Sequence, residues 1–158
     1  MNSYRQIYYH LVFGTKNREN SIPEEHCTLL YKYIWGIIKK KGCNLYRING
    51  MQEHIHIFTD LHPSICLADF IKDIKVSSSF WLKNHDNFPK WNGWANGSGS
   101  FTCSHKEKDS VISYIKGQKE HHKKVSFIEE YEGLLNEYGI PWIFRMILTP
   151  VPGILTPL

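Results

Sequence analysis

The sequence predicts an α+β fold of the ferredoxin-like, split βαβ kind: an antiparallel sheet with two helices on one face, followed by an extra C-terminal helix. Three observations lead there. The periodicities run strand, helix, strand, strand, helix, strand, helix along the chain; turn and cap residues separate them; and no repeat, low-complexity tract or linker divides the 158 residues. A chain of this length with 42% hydrophobic residues has enough apolar material for one domain, expected over residues 1–140.

In residues 5–13, Ile7, Tyr9, Leu11 and Phe13 alternate with Tyr8, His10 and Val12, the period of a strand. After a polar turn carrying Lys16 and Arg18, the run Ser21-Ile22-Pro23-Glu24 reads as a cap, and a helix is expected over residues 21–41. Leu29, Leu30, Tyr33, Ile34, Ile37 and Ile38 form its apolar stripe, and Gly42 is placed to stop it. Strands are expected over residues 44–48 and 53–59, joined by Asn49-Gly50 as a tight hairpin.

The second helix, expected over residues 64–84, has a stripe of Leu67, Phe70, Ile71, Ile74 and Phe80 or Trp81, with Lys72, Lys75 and Lys83 outward. A loop rich in Asn, Gly and Trp leads to a fourth strand at residues 99–103. Ser104 and Glu107 then match a capping box opening a helix to about residue 122, and a short helix is expected over residues 127–138.

Composition narrows the functional classes only modestly. A net charge of +4 suits a polyanionic partner. Cys27, Cys43, Cys66 and Cys103 show no CxxC pairing or zinc spacing and read as ordinary thiols. The N-terminus lacks the regions of a signal peptide, so a cytoplasmic location is expected. Membrane insertion is not expected: the apolar stretch of residues 140–158 is broken by Arg145 and by prolines at 141, 150, 152 and 157.

Two local patterns carry chemistry. In His54-Ile55-His56, strand alternation puts both imidazoles on one face and Ile55 and Ile57 on the core side, with Glu53 expected to face away from the histidines. With nine histidines in the chain, such a triplet also arises by chance, so a metal site and a bland reading both stand at this point. Tyr114 and Gln118 lie one helical turn apart, beside a buried stripe of Val111, Ile112 and Ile115. That places the phenol at the border of core and solvent.

Taken together, YHLVFGTKNR at 9–18, EHIHIF at 53–58, DFIKDIKVSSSFWLK at 69–83, GSGSFTCS at 97–104 and YIKGQKEHH at 114–122 resemble the single-tyrosine HUH transposases of the insertion-sequence 200/605 group. The resemblance spans residues 9 to about 140. It implies a DNA transposase that cuts and rejoins single-stranded DNA through a covalent 5′-phosphotyrosine, with Tyr114 as nucleophile and His54, His56 and Gln118 holding Mg2+ or Mn2+. It also implies hairpin recognition at element ends and a homodimer whose active sites can be composite.

Lys16, Arg18, Lys72, Lys75, His121 and His122 are candidate DNA contacts. Tyr8 and Tyr9 lie in a predicted strand, and neither has a glutamine placed like Gln118. A reading from another class is a non-cutting relative that binds hairpins at repeated palindromes. Two departures from the family pattern stand out. Gly117 occupies a position where relatives often carry asparagine and should loosen the helix. Residues 141–158 form an atypical hydrophobic tail.

Overall fold

A computed structural model describes residues 3–140, so the tail expected at 141–158 lies outside the described residues. The chain divides into two compact units, one ending at His121 and the other beginning at His122.

The first unit holds a four-stranded antiparallel sheet of β1 (Tyr8–Gly14), β2 (Leu45–Gly50), β3 (His54–Thr59) and β4 (Gly99–Cys103), in the spatial order β2-β3-β1-β4. Helices α1 (Cys27–Lys40) and α2 (Leu67–Lys83) complete the split βαβ arrangement. Leu11, Phe13, Ile55 and Ile57 cluster with Leu30, Ile34 and Ile38 of α1 and Phe70, Ile74 and Leu82 of α2. Tyr8 and Phe58 cluster instead with Ile115 of α3 (Lys108–Lys116). Period-two alternation therefore sorts the strand residues into two cores, and α3 covers the sheet face opposite α1 and α2.

Several boundaries differ from expectation for identifiable reasons. Strand β1 starts at Tyr8 because the ladders to β3 and β4 begin at Tyr9 and Tyr8. Helix α1 starts at Cys27, after a 3-10 turn at Glu24–His26, and Ser21 does not cap it. The backbone N–H groups of Ser21 and Ile22 instead donate to the Gln52 carbonyl (3.1 and 3.0 Å), holding that segment extended against the β2–β3 turn. Gly42, at φ 71°, closes the helix as expected.

Asn49-Gly50 is not the hairpin turn. Both residues belong to β2, with Asn49 opposite His56 and Gly50 opposite Ile55, and the chain reverses through residues 51–53. Gly50 is needed for closeness rather than for positive φ: a Cβ there would lie 2.2 Å from the His54 carbonyl oxygen.

On α2 the buried residues are Phe70, Ile74, Ser78 and Leu82, four apart. Phe80 falls on the other side and is 72% exposed, while Trp81 stacks on Tyr33 with ring centroids 4.8 Å apart. Buried Ser78 donates to the Ile74 carbonyl (2.6 Å) and accepts from Trp94 Nε1 (2.9 Å), so its hydroxyl is satisfied within the core. Lys75 is not outward as expected. Its ammonium donates to the carbonyls of Ala95 (2.9 Å) and Gly97 (2.8 Å), and burial lowers its pKa to about 8.

At Ser104 the capping box forms, with the Glu107 carboxylate accepting from the Ser104 N–H at 2.8 Å. The helix expected to continue to residue 122 is split: α3 ends at Lys116, and α4 (Gln118–His121) follows across Gly117, whose ψ is 9°. In the second unit, Ser126 and Glu129 form a second capping box at the start of α5 (Phe127–Glu137). No helix among the described residues is long and apolar enough to cross a membrane.

Candidate active site

His54 and His56 project from β3 toward α3, on the sheet face opposite Ile55 and Ile57, and both are fully buried. Burial of two imidazoles demands polar partners for their ring nitrogens. Each has one. His54 Nδ1 lies 3.1 Å from Glu53 Oε1, and His56 Nδ1 lies 2.8 Å from His10 Nε2.

Glu53 therefore does not face away from the histidines. Strand β3 begins at His54, so Glu53 still belongs to the turn, where alternation does not hold, and its carboxylate folds back onto the neighbouring imidazole. His10 was missed as a site residue. Period two places it on the same face as Tyr8 and Val12, but its meeting with His56 depends on the β1–β3 register, in which Val12 lies opposite His56 and His10 opposite Phe58.

The remaining groups come from α3 and α4. Gln118, also fully buried, points Oε1 at His54 Nε2 (3.1 Å). The half-buried Tyr114 ring lies 5.8 Å from the His56 ring, 6.2 Å from His10 and 5.5 Å from His121, by centroids. The fold thus brings Tyr114, His54, His56 and Gln118 onto one spot, and adds His10, Glu53 and His121.

The donor set fits a divalent cation. As a carboxylate Glu53 can only accept, so His54 Nδ1 carries the proton and, in the neutral ring, His54 Nε2 presents a lone pair toward Gln118 Oε1. His54 Nε2 and Gln118 Oε1 face each other at 3.1 Å, and a cation shared between two such lone pairs would hold them together.

The other candidate residues are dispersed. Lys16 and Arg18 are exposed on a 3-10 turn after β1, where Asn17 and Arg18 adopt φ of 55° and 56°. Lys72 is exposed on α2. Lys16, Lys72, Lys75 and Lys83 line one cleft together with Val76 and Phe80, and no Asp or Glu joins them among its described lining residues. His121 edges the Tyr114 ring. His122 belongs to the second unit, where its Nδ1 lies 2.8 Å from the Val125 carbonyl and its Nε2 3.2 Å from Glu130 Oε1.

The chain is similar to known proteins. The ISDra2 transposase TnpA of Deinococcus radiodurans is 23% identical over 120 residues, covering 72% of this chain and 84% of its own length. A crystal structure described as a transposase of Deinococcus radiodurans R1 matches with a TM-score of 0.55 at 23% identity, over 75% of this chain and 95% of the other. The structure of a REP-associated tyrosine transposase bound to a REP hairpin matches with a TM-score of 0.55 at 13% identity, over 100% of this chain and 95% of the other. At these identities the structural likenesses establish the fold. Residues 3–118, a stretch that takes in His54, His56, Tyr114 and Gln118, match the family model described as Transposase IS200 like, and the chain belongs to that family of transposases.

Proposed function

We propose that this transposase cuts and rejoins single-stranded DNA with Tyr114 as its nucleophile. The carrying observation is the convergence of a half-buried phenol on two buried imidazoles and a buried amide, His54, His56 and Gln118. The Tyr114 oxygen attacks phosphorus, loses its proton and forms a 5′-phosphotyrosine. The bond to the 3′ oxygen breaks, and that oxygen leaves as a hydroxyl after taking up a proton. Attack by another 3′-hydroxyl reverses the exchange, so the phosphodiester energy is retained and no external energy source is needed.

A free phenol has a pKa near about 10, so it needs help at neutral pH. Mn2+ or Mg2+ held by His54, His56 and Gln118 would supply positive charge to polarise the phosphate. Burial of those three residues keeps their orientation fixed while Tyr114 remains reachable. His121, against the tyrosine ring, is placed to contact the strand beside the attacked phosphate.

The DNA partner is a hairpin with flanking single strand, the class of ligand bound by the structurally similar REP-associated tyrosine transposase. Lys16, Lys72 and Arg18 provide exposed charge for its phosphates, while Lys75 adds positive field from within the cleft wall. A homodimer, with the tyrosine helix able to serve a partner's histidines, completes the reading.

The test incubates a hairpin oligonucleotide carrying a single-stranded flank with Mn2+ or Mg2+. Wild-type protein should become covalently linked to DNA, with the adduct mapped to Tyr114. Tyr114→Phe should retain hairpin binding and form no adduct. Identical products from both proteins would exclude Tyr114 as nucleophile, and hairpin binding with no adduct from either would favour a non-cutting role.

A further inference from the structure

Both histidines of the triplet have their Nδ1 occupied by a group from another part of the turn or sheet, Glu53 for His54 and His10 for His56. We infer that Glu53 and His10 are a matched pair of positioning residues, which hold both imidazoles as the Nδ1–H tautomer and leave each Nε2 for a metal ion. This rests on the reading of His54, His56 and Gln118 as a metal site.

The chemistry follows from what each partner can accept. A carboxylate offers only lone pairs, so the Glu53 contact requires His54 Nδ1 to donate. His10 Nε2 and His56 Nδ1 are 2.8 Å apart, a distance that requires one proton between them. That distance is met with the proton on either ring; metal binding at His56 Nε2 selects the arrangement with the proton on His56 Nδ1, in which His10 accepts at Nε2 and keeps its own proton on Nδ1. His10 lies in β1 and Glu53 in the β2–β3 turn, so each imidazole is braced from a different direction. An imidazole ligand whose second nitrogen donates to a fixed acceptor is more basic and cannot rotate freely, both of which strengthen metal binding.

Neither residue needs to touch DNA or the reacting phosphate, and neither is a catalytic residue in this assignment. The role separates them from packing residues, because it changes which nitrogen carries a proton. A substitution that only disturbs packing lowers the unfolding temperature and leaves the tautomers of the folded protein alone.

The experiment measures Mn2+ affinity by calorimetry, and histidine nitrogen shifts of the metal-free protein by 15N NMR, at one fixed pH. It uses wild type, Glu53→Gln, Glu53→Leu, His10→Gln and His10→Phe. Wild-type His54 and His56 should be protonated at Nδ1. Glu53→Leu and His10→Phe should bind Mn2+ about 10–100-fold more weakly, with Nε2–H signal appearing at His54 or His56 respectively. The glutamine variants, whose amide oxygen can still accept, should recover most of the affinity.

Wild-type tautomers with the proton on Nε2 overturn the inference, even if the Leu and Phe variants fail to fold. Folded Leu and Phe variants with unchanged affinity and unchanged nitrogen shifts also overturn it, while leaving the metal site standing. Wild-type protein that takes up no Mn2+ or Mg2+ overturns the metal reading itself.

Discussion

Asn49, on β2, donates its side-chain amide to the carbonyls of both Ile115 (3.0 Å) and Lys116 (3.2 Å). The residue lies opposite His56 in the sheet, so one strand position both flanks the histidine strand and grips the C-terminal end of the Tyr114 helix. Helix-end carbonyls lack intrahelical donors, and here a sheet residue supplies them. Asn49→Ala should lower stability by about 1 kcal/mol in urea unfolding. Asn49→Asp should cost more, because its carboxylate cannot donate and sits at the negative end of α3. Adduct formation should fall further than the unfolded fraction explains.

Gly50→Ala should be severe. The methyl group would meet the backbone of His54 and Ile55 at 2.2 and 2.7 Å, and backbone cannot swing aside as a side chain can. A loss of at least about 2 kcal/mol is expected. Thermal unfolding read by circular dichroism would show it.

Gly117→Ala should behave oppositely. At φ −84° the position suits any L residue, and a Cβ would come no closer than 3.4 Å to the Ser113 carbonyl oxygen. Reduced freedom of the unfolded chain should raise stability by about 0.4–1 kcal/mol. Denaturant midpoints of the two proteins check this directly.

Lys75 should leave a mark on the pH dependence of stability. Burial lowers its pKa from 10.5 to about 8. Between those values the unfolded chain holds more protons than the folded one, so this residue makes stability rise with pH across that window. Lys75→Met removes that component. The difference between wild type and variant, from urea unfolding at a series of pH values, should therefore shift in favour of wild type as pH rises from about 8 to 10.

Period and cap chemistry determined much of the molecule. Alternation in residues 54–59 settled that Ile55 and Ile57 enter one core while His54 and His56 face the other side, because β side chains alternate whatever the strand pairs with. The Ser104–Glu107 box marked a helix start because both partners are local. The helical spacing of Tyr114 and Gln118 survived even though Gly117 divides the helix between them.

Tertiary structure alone decided the rest. His10 reaches His56 only through the β1–β3 register, which joins residues 46 apart in sequence. Glu53 turns toward His54 because the strand begins one residue later than its pattern suggests, and Asn49-Gly50, a strong local turn signal, is overridden by pairing with Ile55 and His56. Lys75 is drawn inward by carbonyls at residues 95 and 97, which no helical periodicity can foresee. Local spacing specifies direction along a strand or helix; which group stands opposite is set by long-range pairing and by the need of buried polar atoms for partners.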